Sequence, residues 1–113
     1  MISKMSMVEK MSGLRQGALL DIGSGTGTFV KTMQDHGWKV TGLEPDPDAR
    51  SLARKEYHLE LEGMESIYKF PEKSYDVITL WHVLEHMQDL STHMKLMSSL
   101  LKENGRIFIA VPN

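Results

Sequence analysis

A chain of 113 residues with a formal net charge of −2 is one domain's worth of polypeptide, and its mixed charges exclude a broad basic face for nucleic acid. It contains no cysteine, so disulfides, a thiol nucleophile and any cysteine-ligated zinc or iron–sulfur centre are excluded. No apolar run approaches the roughly 18 residues of a membrane-spanning helix, and the opening MISKMSMVEKM lacks the apolar core of a secretory signal, so a cytoplasmic chain is expected.

Ile2, Met5, Val8 and Met11 recur every third residue, which predicts a short amphipathic helix within residues 1–13, closed by Gly13. ALLDI (18–22) is a short apolar run and reads as the first strand. Residues 27–36 follow as a helix with Phe29, Val30 and Met33 on one side, and Gly37 stands where a left-handed cap is wanted. WKVTGLE (38–44) is the second strand. Asp46 followed by Pro47 starts a helix that runs to about Glu56. HLELE (58–62) alternates and predicts a third strand, while the continuous apolar stretch of YDVITLW (75–81) predicts a fourth, covered on both faces. Asp89 is expected to cap a helix with the stripe Leu90, Met94, Met97, Leu101, which Asn104-Gly105 closes. RIFIAV (106–111) is the fifth strand.

Strand and helix alternate throughout one domain, residues 1–113. That alternation means a parallel sheet with crossover helices, an α/β doubly wound, Rossmann-like fold. Ligands in such sheets bind outside the carboxyl ends of the strands.

Gly23, Gly25 and Gly27 form G-x-G-x-G after the first strand. The dinucleotide fingerprint would place its third glycine at position 28, which is Thr28. Asp21, two residues before the first glycine, is the sharper signal. A carboxylate there repels a pyrophosphate and attracts a cofactor that carries positive charge. S-adenosylmethionine has an ammonium and a sulfonium centre. The plain alternative is a buried acid bonded to the backbone of its own turn. Glu44 ends the second strand at the place where an acid accepts hydrogen bonds from ribose hydroxyls. It fits NAD and S-adenosylmethionine equally, and its plain alternative is a solvated strand-end charge.

LLDIGSGTGTF (19–29), VTGLEPD (40–46), YDVITLWHVLEHM (75–87) and LLKENGRIFIAVPN (100–113) together resemble the class I S-adenosylmethionine-dependent methyltransferases. The resemblance is closest to the small-molecule branch that includes the ubiquinone-biosynthesis O-methyltransferases. It implies methyl transfer to a small-molecule acceptor, with S-adenosylmethionine as cofactor and S-adenosylhomocysteine as product. By position, Asp21, Gly23, Ser24, Gly25, Thr26 and Gly27 would line the methionine part of the cofactor. Glu44 would hold the ribose, with Pro45 and Asp46 beside the adenine. The segment EGMESI (62–67) would cover the adenine; the family's aspartate position falls on Gly63, leaving Met64 to pack on the ring and Glu65 to supply the acid. Trp81 and His82 would face the sulfonium and the acceptor. The family sheet usually has seven strands, so the resemblance implies strand order 3-2-1-4-5 without the last two. The open apolar edge of 106–111 then implies a homodimer through that edge or a truncated chain.

His82, Glu85 and His86 spell H-x-x-E-H, literally an inverted zinc-peptidase motif. No acid or histidine follows Glu103 to complete such a site, so no metal is expected. His82 is the candidate base for an acceptor hydroxyl, since an unperturbed imidazole titrates at about 6.5. Two further readings stand beside the methyltransferase: a module that binds S-adenosylmethionine or S-adenosylhomocysteine without turnover, and an NAD-dependent oxidoreductase, disfavoured by Asp21 and Thr28.

Overall fold

The computed structural model describes residues 3–81 and 90–110. The expectations for Ile2, His82, Glu85, His86, Asp89 and Val111 therefore lie outside the described residues. The elements are α1 (Lys4–Ser12), β1 (Ala18–Ile22), α2 (Thr28–Asp35), β2 (Lys39–Leu43), α3 (Pro47–Tyr57), a 3₁₀ helix (Met64–Lys69), β3 (Tyr75–Leu80), α4 (Leu90–Leu100) and β4 (Leu101–Ile109).

Local chemistry explains most of the boundaries. Ser3 caps α1 by accepting from the Ser6 amide, and Gly13 ends it at φ 75°. Gly37, at φ 92°, takes the left-handed turn after α2. Asp46 caps α3 by accepting from the Asp48 amide at 2.9 Å, with Pro47 in the first helical position where its missing N–H costs nothing.

β1 to β4 form a parallel sheet in the order β2-β1-β3-β4. The stretch 58–62 does not form a strand. His58 is spent closing α3 in a left-handed conformation, φ 58°, and Leu59 is buried against Val30 and Ala53. What survives is one parallel bridge, Leu43 with Glu62, held by Glu44 N to Glu62 O at 2.8 Å and Glu62 N to Gly42 O at 2.9 Å. It lies beside β2, where the expected order puts it.

Asn104-Gly105 does not close the helix, contrary to what the sequence pattern predicts. The helix already ends at Leu100, and both residues lie in β4. β4 pairs Leu101 with Tyr75 and then Arg106 with Val77, so residues 102–105 bulge out of the ladder. Gly105 is needed for space: a Cβ there would stand 2.7 Å from Leu101 Cδ2 and 3.0 Å from the Lys102 carbonyl oxygen. Leu100 and Met97 form the buried stripe of α4, while Leu101 packs beside them from the strand.

Side chains alternate across the sheet and divide the core. Leu19 and Val77 face α1 and α2, with Val8, Met33, Trp38 and Phe108. Leu20, Ile22, Ile78 and Leu80 face α4 and the 3₁₀ helix, with Ile67, Met97 and Leu100. At the amino end of the sheet Asp76 Oδ2 accepts from the Ala18 amide at 2.9 Å and from Lys102 Nζ at 3.2 Å. Among the described residues no helix is long and apolar enough to cross a membrane.

Candidate functional site

The carboxyl ends of β1 and β2 carry two buried acids. Asp21 is 1% exposed and Glu44 7%. Parallel pairing sets Asp21 directly opposite Thr79. The Thr79 hydroxyl donates to Asp21 Oδ1 at 2.6 Å, a short, charge-assisted bond inside the core. The carboxylate is thus fixed from the neighbouring strand, while its backbone is tied into the turn by Ser24 Oγ, which donates to the Asp21 carbonyl at 3.1 Å. Thr79 escaped the sequence reading; its signal was a polar residue within the apolar run Val77–Leu80.

The glycine turn folds back onto β2. The Leu43 carbonyl accepts from Gly23 N at 2.7 Å and Ser24 N at 2.9 Å, and Gly27 N donates to Ser24 O at 3.0 Å. The glycines differ in purpose. Gly27, at φ 90°, begins α2, and a Cβ on it would stand 2.5 Å from Leu59 Cδ1 and 3.3 Å from Ala53 Cβ. It permits close packing. Gly25, at φ 61°, would point a Cβ into open space with nothing within 4 Å. No packing demand within the chain excludes a side chain at Gly25; its positive φ is what favours glycine there. Thr26 is exposed at the tip.

Glu44 is not a solvated strand-end charge. Its Oε1 accepts from Gly25 N at 2.7 Å and its Oε2 from Asp46 N at 2.9 Å. Arg50 Nη1 donates to the carbonyls of Glu44 at 2.6 Å and Pro45 at 3.2 Å, which fixes the corner into α3. Pro45 and Asp46 are exposed beside it, and Asp46 also serves as the α3 cap.

Met64 and Glu65 open the 3₁₀ helix. They line a cavity of about 240 Å³ with Ile22, Ile67, Tyr68, His93 and Met97. The Glu65 carboxylate folds back over Gly63, with Oε1 only 2.5 Å from where a Cβ on residue 63 would stand. The acid therefore occupies the space of a side chain at 63, although it is carried two residues later. Tyr68 and His93 were not singled out from sequence, and Met97 was read only as part of a helix stripe, because no motif marks an apolar wall.

Trp81 follows β3. It is 7% exposed, meets Phe29 edge-on at 5.3 Å and has the Lys4 ammonium 5.1 Å from its ring centre. Its buried indole N–H has no hydrogen-bond partner among the described residues. His82 lies outside the described residues, as does the rest of H-x-x-E-H. Among the described residues no three acids or histidines gather to hold a metal.

The arrangement suits a cofactor with spread-out polar groups: a buried acid beside an open glycine, an acid on the next strand, and a third acid over an apolar cavity. Residues 5–113 match the family described as methyltransferase domain. A demethylmenaquinone methyltransferase from Chlorobaculum tepidum is 32% identical over 92% of this chain and 44% of its own length. A ubiquinone biosynthesis O-methyltransferase from Aeromonas salmonicida is 30% identical over 95% of this chain and 48% of its own. A structure from Methanococcus maripaludis, provisionally assigned as an S-adenosyl-L-methionine-dependent methyltransferase, shares the fold at TM-score 0.81 and 17% identity, over 93% of this chain and 52% of that one. The chain thus spans about half the length of these relatives, and it belongs to the S-adenosylmethionine-dependent methyltransferase family.

Proposed function

We propose that this chain binds S-adenosylmethionine at the carboxyl ends of β1 and β2 and forms the cofactor half of a methyltransferase acting on a small-molecule acceptor. The observation that carries the reading is Asp21: a buried carboxylate held at 2.6 Å by Thr79, at the mouth of a glycine turn with an open face. A fixed anion there suits an ammonium and opposes a pyrophosphate.

Bound S-adenosylmethionine supplies a methyl group on a sulfonium sulfur. The chain holds and aims it. Asp21 attracts the ammonium of the methionine part, and the backbone from Gly23 to Gly27 approaches it closely. Glu44 accepts from the ribose. Glu65 accepts from the adenine amino group at the cavity beside Met64, with Pro45 and Asp46 alongside. Trp81 borders the transfer side, and His82 is the proposed base for an acceptor hydroxyl. Alignment supplies most of the rate, since ideal positioning contributes about 7–11 kcal/mol. The names of the two relatives, for ubiquinone biosynthesis and for demethylmenaquinone, favour a small-molecule acceptor.

Calorimetric titration of the chain with S-adenosylmethionine, S-adenosylhomocysteine and NAD tests the reading. Micromolar binding of both sulfur ligands and none of NAD is expected. NAD binding, or a folded chain that ignores both sulfur ligands, overturns it. If the sulfur ligands bind, methyl transfer to acceptors separates an enzyme from a binding module.

The proposal extends to assembly. β4 ends the sheet, and its outer edge pairs with no strand among the described residues. A second copy pairing along that edge gives a dimer. Sedimentation across a concentration series is expected to show dimer; a monomer throughout refutes the pairing.

A further inference from the structure

The glycine turn is fastened by residues outside itself. Leu43, the last residue of β2, holds Gly23 and Ser24 through its carbonyl. Glu44 holds Gly25 through its side chain at 2.7 Å. Gly25 is half-buried but has no Cβ, and the space a Cβ would fill is empty, so no side chain of its own packs to hold it. A charge-assisted hydrogen bond from its amide to a buried acid is a restraint of the required strength. Glu44 is itself rigidly placed, since Asp46 N donates to Oε2 at 2.9 Å and Arg50 grips the Glu44 carbonyl at 2.6 Å.

A carboxylate offers about four lone-pair directions. Two are spent on the Gly25 and Asp46 amides. The remainder matches the two hydroxyls of a ribose, so the acid can take the nucleoside without releasing the turn.

We propose that Glu44 is a positioning residue for the glycine turn, setting Gly25 in its ligand-ready conformation before any cofactor arrives, in addition to its contact with ribose. The ribose contact rests on the function proposed above; the setting of the turn does not. Placing both tasks on one carboxylate ties the methionine end of the site to its nucleoside end. Loosening either bond at Glu44 is felt at both ends.

Amide hydrogen exchange on the ligand-free chain, with Glu44→Ala and Glu44→Gln, tests the setting of the turn. Gly25 exchange is expected to rise about ten- to hundredfold in Glu44→Ala, the usual worth of a hydrogen bond to a charged group. Glu44→Gln keeps the shape but has one acceptor oxygen, so it frees one of the two amides, Gly25 or Asp46, and keeps the other. It also serves if the alanine variant fails to fold. Titration with S-adenosylhomocysteine and its 2′,3′-dideoxy analogue then separates the two tasks. Affinity lost for both ligands in the Glu44 variants supports a positioning residue. Unchanged exchange at both amides, or a loss confined to the hydroxyl-bearing ligand, overturns it. A native chain that binds neither ligand refutes the cofactor reading, and the exchange comparison alone then decides whether Glu44 sets the turn.

Discussion

Asp21→Asn weakens S-adenosylmethionine binding by about ten- to hundredfold and leaves the chain folded, measured by calorimetry and thermal melting. The substitution is nearly isosteric. Its amide oxygen still accepts from the Thr79 hydroxyl, which donates at 2.6 Å in the native chain. What disappears is the negative charge, so the difference in affinity reports attraction to the ammonium rather than repacking. Thr79→Val is the converse. It keeps the charge but strips a hydrogen bond from a carboxylate that is 1% exposed, and is expected to lower unfolding free energy by about 1.5–3 kcal/mol. An asparagine variant that binds as tightly as the native chain removes Asp21 from the site.

Gly27→Ala lowers unfolding free energy by about 2–5 kcal/mol, while Gly25→Ala lowers it by only about 1–2 kcal/mol. Both positions have positive φ, 90° and 61°, and an alanine pays about 1–2 kcal/mol for that conformation. At Gly27 a new methyl also collides with Leu59 and Ala53, whose atoms lie 2.5 and 3.3 Å from it. Overpacking adds about 1–3 kcal/mol. Together these take a large share of the roughly 5–15 kcal/mol that holds a domain. At Gly25 the methyl meets nothing within 4 Å, so only the conformational part applies, but the methyl occupies the space proposed for the cofactor. Urea titration is expected to separate the two variants by midpoint, and cofactor titration to show binding lost in Gly25→Ala. Equal midpoints contradict the packing role of Gly27.

These contrasts show which parts of the molecule were legible in sequence. The alternation of elements, the caps at Gly13, Gly37 and Asp46, and the parallel sheet are governed by local chemistry and hydrophobic period, which a sequence displays directly. HLELE misled because alternation records which side chains can be buried, and Leu59 is buried, against α2 and α3. It does not record that His58 must first close a helix. Asn104-Gly105 misled for a related reason. A glycine signals either a left-handed turn or a lack of room, and Gly105 answers to the second. The different purposes of Gly25 and Gly27 were illegible for the same reason, since neighbours distant in the chain decide them. Asp21 could be picked out, but its bond to Thr79 depends on the register between β1 and β3, which no local pattern encodes.

Asp76, at the far end of the strands from the glycine turn, fastens the start of β1 to the start of β4 through Ala18 and Lys102. One fastening between the strands thus lies where no ligand is proposed to reach. Lineages can exchange residues at the opposite rim, and so alter what is recognised there, without re-indexing the sheet. For an engineer the division is practical: vary exposed rim positions such as Thr26 and Pro45, and leave Gly27, Glu44 and the Asp76 fastening intact as the frame on which new specificities are drawn.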